Sequence, residues 1–203
     1  MLICCTAGST RAQTSGNVAQ TRTFARVQLL ETEAVTSAGV SLGDLDRDGD
    51  LDIVLAKGRH WPLHNRVLRN NGRGDFTAES LADSADRTYT AALADLDGDG
   101  DLDVVVSNDR PDRKLVYLND GTGRYRVGTT FGQPDWSTRY VTVADVNGDK
   151  RPDLLVANRS SNPAAPKPSY LCLNDGAGAF PVCRPLATQS ATIIVAADLD
   201  GDG

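Results

Sequence analysis

Short apolar segments recur along the chain at a regular distance, and each is flanked by polar or glycine-rich stretches. Before each of four aspartate-rich stretches, larger apolar residues alternate with small ones, as in Val40-Ser41-Leu42-Gly43. This period of two is typical of a β-strand in a crowded place. After the first three aspartate-rich stretches comes a continuous apolar run: Ile53-Val54-Leu55, Val104-Val105-Val106 and Leu154-Leu155-Val156. Such runs indicate strands that are buried on both faces.

Two further strands are predicted in each unit, one on either side of a glycine-rich turn. The turns share the pattern Asn-Asn/Asp-Gly-x-Gly-x-Phe/Tyr and span residues 70–76, 119–125 and 174–180. A glycine-rich turn between apolar runs favours a β-hairpin. The adhesion tripeptide Arg73-Gly74-Asp75 occupies variable positions of the first turn, which favours a turn over a recognition signal. No segment shows helical periodicity with capping residues.

Each unit thus contains four antiparallel strands, and the unit repeats after about 51 residues. Four strands in a repeat of this length are typical of one blade of a β-propeller. We therefore predict an all-β fold, a β-propeller of four-stranded antiparallel blades present as an open fragment. The predicted whole blades lie near residues 36–86, 87–136 and 137–189, with a partial blade at 190–203.

The N-terminal part of the chain is predicted to lie outside the complete blades. The last strand of an earlier blade is expected from Phe24 to Leu30, and the repeat region as a whole from residue 23 to residue 203. Residues 1–22 are expected to be a leader or a disordered segment, in which Leu2-Ile3-Cys4-Cys5 is either the stub of a signal peptide or the result of truncation. Because a closed propeller needs about four blades or more, an open, self-associating arc is expected.

The four aspartate-rich stretches, here called the first to fourth ladders, begin at Asp44, Asp95, Asp145 and Asp198, which lie 51, 50 and 53 residues apart. Carboxylates at positions 1, 3, 5 and 9 of such a loop converge on one point, glycine at position 6 permits a sharp turn, and position 7 adds a carbonyl oxygen. The predicted metal ligands are Asp44, Asp46, Asp48, Asp50 and Asp52; Asp95, Asp97, Asp99, Asp101 and Asp103; Asp145, Asn147, Asp149, Arg151 and Asp153; and Asp198, Asp200 and Asp202.

Several hard oxygen ligands in a flexible loop favour Ca²⁺ over Mg²⁺, and the ladders contain no Cys or His that would favour zinc. An EF-hand is rejected because its loop needs a Glu at position 12, where this chain has Leu55, Val106 and Val156. The third ladder departs from the pattern, since Asn147 replaces a carboxylate and Lys150 replaces the glycine, so weaker binding is expected there. The fourth ladder has no residue at its ninth position, which puts its site in doubt.

The distribution of charge supports a bound cation. The formal net charge is −6, and more than half of the 27 acidic residues lie in the ladders. Carboxylates this close together repel one another unless a cation neutralises them. The acidic balance disfavours nucleic-acid binding. The longest apolar run, residues 191–197, is far shorter than the about 20 residues that cross a membrane.

The ladders and turns together resemble the FG-GAP, or VCBS, repeat family, which includes the calcium-bearing blades of integrin α-subunit propellers. The resemblance covers roughly residues 23–203 and implies that each ladder joins the first two strands of a blade and binds Ca²⁺ structurally. It implies an extracellular, cell-surface or periplasmic module for adhesion or ligand binding. No catalytic set of residues stands out, so the chain itself is not expected to be an enzyme. The alternative is part of a secreted glycan-active or lyase-type propeller enzyme.

Two further features leave alternatives open. Trp61 and Trp136 fall in connections at the end of the blades opposite the ladders. They favour either a glycan or protein ligand on that face or packing between blades. Cys172 and Cys183 face each other if the third turn centres its hairpin, and they form either a disulfide, in agreement with secretion, or two unpaired small side chains.

Overall fold

The computed structural model describes residues 3–8, 23–32, 35–162 and 164–200, in which the regular secondary structure consists of β-strands joined by turns and loops. No α-helix occurs in these residues. The strands are β1 (Ile3–Gly8), β2 (Thr23–Leu29), β3 (Ser37–Gly43), β4 (Asp52–Lys57), β5 (Leu63–Asn70), β6 (Phe76–Asp86), β7 (Thr88–Ala94), β8 (Asp103–Asn108), β9 (Lys114–Asn119), β10 (Tyr125–Phe131), β11 (Thr138–Ala144), β12 (Asp153–Asn158), β13 (Ser169–Leu173) and β14 (Val182–Ala187).

Twelve of these strands form three four-stranded sheets in chain order, β3–β6, β7–β10 and β11–β14, here called the first, second and third sheets. All neighbouring strands within them are antiparallel. The prediction of an all-β chain with four-stranded repeating units is confirmed. The sheets are consistent with propeller blades, and β3 contacts β7 as β7 contacts β11. These three first strands line a cavity of about 480 Å³.

The second strand of each sheet is buried along its whole length, as its apolar run predicts. Alternate side chains of this strand point to opposite faces of its sheet, so the apolar run contributes to the core on either side of the sheet. The core between the first and second sheets includes Leu45, Val54, Ala56, Val67, Ala91, Val104, Val106 and Tyr117. The core between the second and third sheets includes Leu96, Val105, Val116, Phe131, Trp136, Leu154, Val156 and Phe180.

Some predicted strands differ from the observed ones. β2 lies where the strand from Phe24 to Leu30 was predicted, but it pairs with β1, which was not predicted. No strand forms at residues 191–197, where the opening strand of a partial blade was predicted. A strand needs a hydrogen-bonded partner, and no described segment pairs with these residues as a strand.

A disulfide joins the third and fourth strands of the third sheet. Cys172 and Cys183 are directly opposite each other in the register of β13 and β14, with their Cα atoms 4.0 Å apart. The turn that joins these strands centres the hairpin as the sequence suggested. The alternative of two unpaired cysteines is therefore wrong for this pair.

Candidate metal centres and the opposite loop face

The first and second ladders connect the first two strands of their sheets, and each loop folds around its own first aspartate. The Asp44 carboxylate accepts hydrogen bonds from the amides of Asp48 at 3.2 Å and Gly49 at 3.0 Å. Asp95 accepts hydrogen bonds from the amides of Gly98 at 2.8 Å and Gly100 at 3.0 Å, and the bond from Gly100 is the equivalent of the one from Gly49. The sixth-position glycines have φ of +90° and +88°, the left-handed conformation that glycine adopts without steric cost.

This folding brings carboxylates from positions 1, 3 and 5 together. Oxygen atoms of Asp44, Asp46 and Asp48 all lie within 4.8 Å of one another, and so do those of Asp95, Asp97 and Asp99. Other close groups of this kind are not found among the residues that the structure describes. Two ladders therefore have the arrangement that their spacing predicts.

The third-position aspartates carry the clearest sign of a missing positive charge. Oδ1 of Asp46 and Oδ1 of Asp97 are buried and accept no hydrogen bond. Burial raises the pKa of Asp46 and the carboxylates of Asp52 and Asp48 raise it further, although the Arg69 guanidinium, 3.7 Å from Asp46 Oδ2, opposes this. Burial and the Asp99 carboxylate raise the pKa of Asp97 in the same way. Buried carboxylate oxygens without donors fit a hard divalent cation.

The ninth-position aspartates join the two repeated motifs. Asp103 accepts hydrogen bonds from the ladder amide of Leu96 and from the hairpin amide of Asn119, both at 2.9 Å. Its burial raises its pKa to about 6, although these two bonds lower it. The equivalent bonds reach Asp52 from Leu45 and Asn70, and Asp153 from Val146 and Asn174. The sequence analysis predicted these aspartates as metal ligands and did not predict that they connect the ladder to the hairpin turn. The nearly constant distance between the two motifs along the chain was the signal that could have indicated this connection.

The hairpin asparagines also connect neighbouring sheets. Asn119 Nδ2 donates to the carbonyl of Leu45 in the first ladder at 2.8 Å. Asn174 Nδ2 donates in the same way to Leu96 in the second ladder at 2.9 Å. Each ladder is thus fixed by its own sheet and by the next one, which restrains the loop before any ion binds.

The seventh-position side chains lie against the hairpin turns. The Asp101 carboxylate is close to Gly121, and a Cβ atom at Gly121 would come within 2.8 Å of Asp101 Oδ2. Asp101 also pairs with Arg47 of the first ladder at 2.5 Å, and Arg47 donates to the carbonyl of Asp99 at 3.2 Å. The position was predicted to supply only a carbonyl oxygen, so this link between ladders was not foreseen.

The third ladder contains its own cation. Arg151 pairs with Asp149 at 2.5 Å, and Asn147 Nδ2 donates to the same carboxylate oxygen at 2.9 Å. Burial by itself raises the pKa of Asp149, but the hydrogen bonds from Arg151 and Asn147 and the charge of Arg151 together hold this pKa below its ordinary value. Lys150 replaces the turn glycine at φ +67°. Asp149 is therefore engaged by donors that a metal ion would have to displace.

The fourth ladder is only partly described. Asp198 and Asp200 are exposed, and Asp202 lies outside the described residues. Asp198 and Asp200 belong to no group of close carboxylates in the part of the chain that the structure describes.

The two tryptophans at the opposite end of the sheets have different environments. Trp136 is buried and stacks on Tyr170 with ring centroids 4.1 Å apart, so it fills the core between the second and third sheets. Trp61 is 69% exposed in the β4–β5 connection. Beside Trp61, His60 Nδ1 lies 3.2 Å from the Tyr89 hydroxyl, and the Arg139 guanidinium covers the Tyr89 ring. Sequence reasoning named Trp61 but missed Tyr89 and Arg139, which come from other sheets.

Comparison with known proteins gives one family. A family model described as an FG-GAP-like repeat matches residues 44–106, 95–156 and 145–203. No curated protein matches the chain. No helix of membrane-spanning length and apolarity occurs in the part of the chain that the structure describes.

Proposed function

Because the chain belongs to the FG-GAP-like repeat family, we propose that it is a calcium-binding module whose three sheets are consecutive blades of a β-propeller. Ca²⁺ would be held by Asp44, Asp46 and Asp48 in the first ladder and by Asp95, Asp97 and Asp99 in the second. Backbone carbonyls at position 7 and the ninth-position carboxylates would complete these sites. Bound calcium would balance the excess of negative charge in these loops.

One observation carries this proposal: the buried Oδ1 atoms of Asp46 and Asp97 accept no hydrogen bond, and each of these two aspartates belongs to a group of three close carboxylates. A buried polar atom without a partner destabilises the fold by about 1–3 kcal/mol. Calcium binds several oxygen ligands even when the loop that supplies them is irregular. Mg²⁺ needs a more regular arrangement of ligands, and a proton cannot bind several oxygens at once.

The ligand-binding part of the proposal concerns the end of the sheets opposite the ladders. Weak modular calcium sites are tuned to the millimolar calcium found outside cells. The disulfide between Cys172 and Cys183 agrees with an oxidising compartment. The calcium loops would thus hold the blades in place while connections such as residues 58–62 bind a ligand at the surface or in the periplasm.

Thermal unfolding with and without calcium tests the proposal. A ligand at 100 times its dissociation constant adds about 2.7 kcal/mol, which raises the Tm of a chain of this size by about 5–10 °C per filled site. We expect this rise on adding Ca²⁺ to chelator-treated protein, and we expect Asp149→Ala to respond to calcium as the wild type does. A Tm that calcium leaves unchanged would contradict the proposal.

A second candidate function is that of a glycan-active or lyase-type enzyme. It is favoured by the contacts that His60 and Arg139 make with Tyr89 at the end of the sheets opposite the ladders, here called the loop face. An imidazole, a phenol and a guanidinium are groups that can move a proton and stabilise an anion. Product formation from acidic and neutral polysaccharides, compared between wild type and His60→Ala, would distinguish an enzyme from a binding module.

A further inference from the structure

The two ends of the sheets carry opposite charge. The ladders and hairpin turns, residues 44–51, 71–75, 95–102, 120–124, 145–152 and 174–181, contain thirteen acidic and five basic side chains. The connections at the other end, residues 58–62, 87, 109–113, 132–137 and 159–168, contain three acidic and six basic ones. The loop face opposite the calcium loops is therefore the end of the molecule that attracts anions.

Two arginines lie around the aromatic ring of Tyr89. The Arg139 guanidinium lies 4.1 Å from the centroid of the Tyr89 ring, and that of Arg59 lies 5.8 Å from it. His60 meets the same ring edge-on and reaches its hydroxyl. These groups come from three sheets, so the site exists only when the sheets are stacked.

The charges in this group are not balanced. Asp109 pairs with Arg139 at 2.7 Å. No carboxylate pairs with Arg59 among the described residues. Nε of Arg139 is buried without an acceptor. The group thus has an excess positive charge and an unused donor, both of which suit a ligand carboxylate.

The backbone fixes this group before any ligand arrives. Gly58 forms a bridge with Thr88, and the Arg59 amide donates to the Thr88 carbonyl at 3.1 Å. Arg59 has φ +52°, a left-handed conformation that an arginine adopts only when its surroundings hold it there. The β4–β5 connection is therefore attached to the second sheet, which lowers the entropy lost on binding.

We propose that Arg59, His60, Trp61, Tyr89 and Arg139 bind a carboxylate-bearing saccharide, such as a chain that contains uronic acid. The proposal rests on the ligand-binding function proposed above and names its ligand class. A guanidinium binds the planar carboxylate through two parallel hydrogen bonds. The exposed indole of Trp61 offers a flat apolar surface for the face of a neighbouring sugar ring.

A saccharide fits this surface better than an acidic peptide does. Arg59, His60 and Trp61 are consecutive, so their Cα atoms span about 7.6 Å at most, which is close to the length of one or two sugar rings. Arg59 and Trp61 therefore present a cation and an aromatic ring close to each other. An extended peptide would instead need the free edge of a strand, and residues 58–62 do not form one.

Calorimetric titration with a hyaluronan octasaccharide tests the proposal in saturating calcium. We expect binding to the wild type, a loss of about tenfold or more in affinity for Arg59→Gln, and a similar loss for Trp61→Ala. Arg126→Gln is the matched control, because Arg126 is exposed on β10 and the same charge is removed there. Its affinity should equal that of the wild type.

Three results would overturn the proposal: no binding, equal binding by Arg59→Gln, or stronger binding of an octaglutamate peptide or a neutral maltooctaose than of hyaluronan. Calcium binding is tested separately by the thermal shift. If the shift is absent while Arg59→Gln still weakens saccharide binding, the calcium proposal fails and the saccharide site stands. If the thermal shift is present and the saccharide does not bind, the saccharide proposal fails and the calcium proposal stands.

Discussion

At the scale of the residue, Asp103 shows how one side chain can serve both folding and metal binding. Its carboxylate is fully buried and accepts one amide from the ladder and one from the hairpin. Burial nevertheless dominates and raises its pKa to about 6. A cation in the loop would favour the ionised form and so strengthen the two amide bonds. Calcium binding and the joining of the two motifs are therefore expected to reinforce each other.

Lys114 allows the effect of burial on the pKa of a single side chain to be tested. Its ammonium group is buried and, within the described ranges, donates only to the carbonyl oxygens of Asp112, Gln133 and Pro134. Burial lowers its pKa to about 8 from the ordinary 10.5, and the nearby carboxylates of Asp109, Asp135 and Asp112 only partly oppose this.

The direction of the pH effect follows from that shift. Below a pH of about 8, folded and unfolded chains both hold the proton, and the folded state bears the full cost of the buried charge. Between about 8 and about 10 the unfolded chain binds more protons, so the stability of the fold rises with pH. In urea unfolding, the wild type should gain about 2–3 kcal/mol more than Lys114→Met across this window. Equal gains in both proteins would show that burial does not shift this lysine.

Residue types and spacing were sufficient to predict that the carboxylates at the first, third and fifth positions of two ladders lie close together, because these positions depend on one local loop. The functions of Asp103, Asp101 and Arg47 could not be predicted, because their partners lie in another motif or another sheet. Arg151 shows the same limit: its spacing indicated a carbonyl ligand, whereas its side chain neutralises Asp149.

At the scale of the element, the hairpin turns of the second and third sheets each contact the sheet that precedes them. Arg69 of the first sheet donates to the carbonyl of Gly123 in the second. Its guanidinium also pairs with Glu79 at 3.0 Å and lies 3.4 Å from Asp52. Leu118 lies against Gly178 of the third sheet in the equivalent place, where a Cβ atom would come within 3.0 Å of it. The second glycine of the turn is thus required for packing between sheets as well as for its conformation.

A pair of alanine substitutions separates these two requirements. Gly123 and Gly148 have similar φ values of +74° and +77°, but a Cβ atom at Gly123 would collide with Arg69, whereas one at Gly148 would meet no atom within 4 Å. Gly148→Ala should cost about 1–2 kcal/mol for the left-handed backbone alone. Gly123→Ala should cost about 1–3 kcal/mol more, because Arg69 must leave its charged partners. Urea unfolding in chelator measures both, and equal losses would contradict the packing role.

Most strands could be predicted from apolar periodicity, because a strand with two buried faces needs a continuous apolar run. The exception is residues 191–197, which have the right pattern and form no strand. The pattern specifies which side chains could be buried, but a strand also needs neighbours that accept its hydrogen bonds.

At the scale of the whole molecule, stacking of the sheets separates two kinds of chemistry. It collects carboxylates at one end and brings Arg59, Tyr89 and Arg139 from three sheets together at the other. The repeat length predicted the number of sheets and which connections share an end. It could not predict which side chains meet across sheets, because the connections at the basic end differ in length and composition from one unit to the next. Two calcium ions would change the formal charge from −6 to −2, mostly by neutralising the acidic end.

Calorimetric titration of calcium into the chelator-treated wild type and the variants Asp46→Ala, Asp97→Ala and Asp149→Ala tests the central claim most directly. We predict that Asp46→Ala and Asp97→Ala each remove one of the tightest sites, since each loses a buried oxygen without a donor. Asp149→Ala should retain both sites, because Asp149 is already paired with Arg151. Calcium binding of the same stoichiometry and affinity in wild type, Asp46→Ala and Asp97→Ala would contradict the account, as would loss of the tightest site in Asp149→Ala alone.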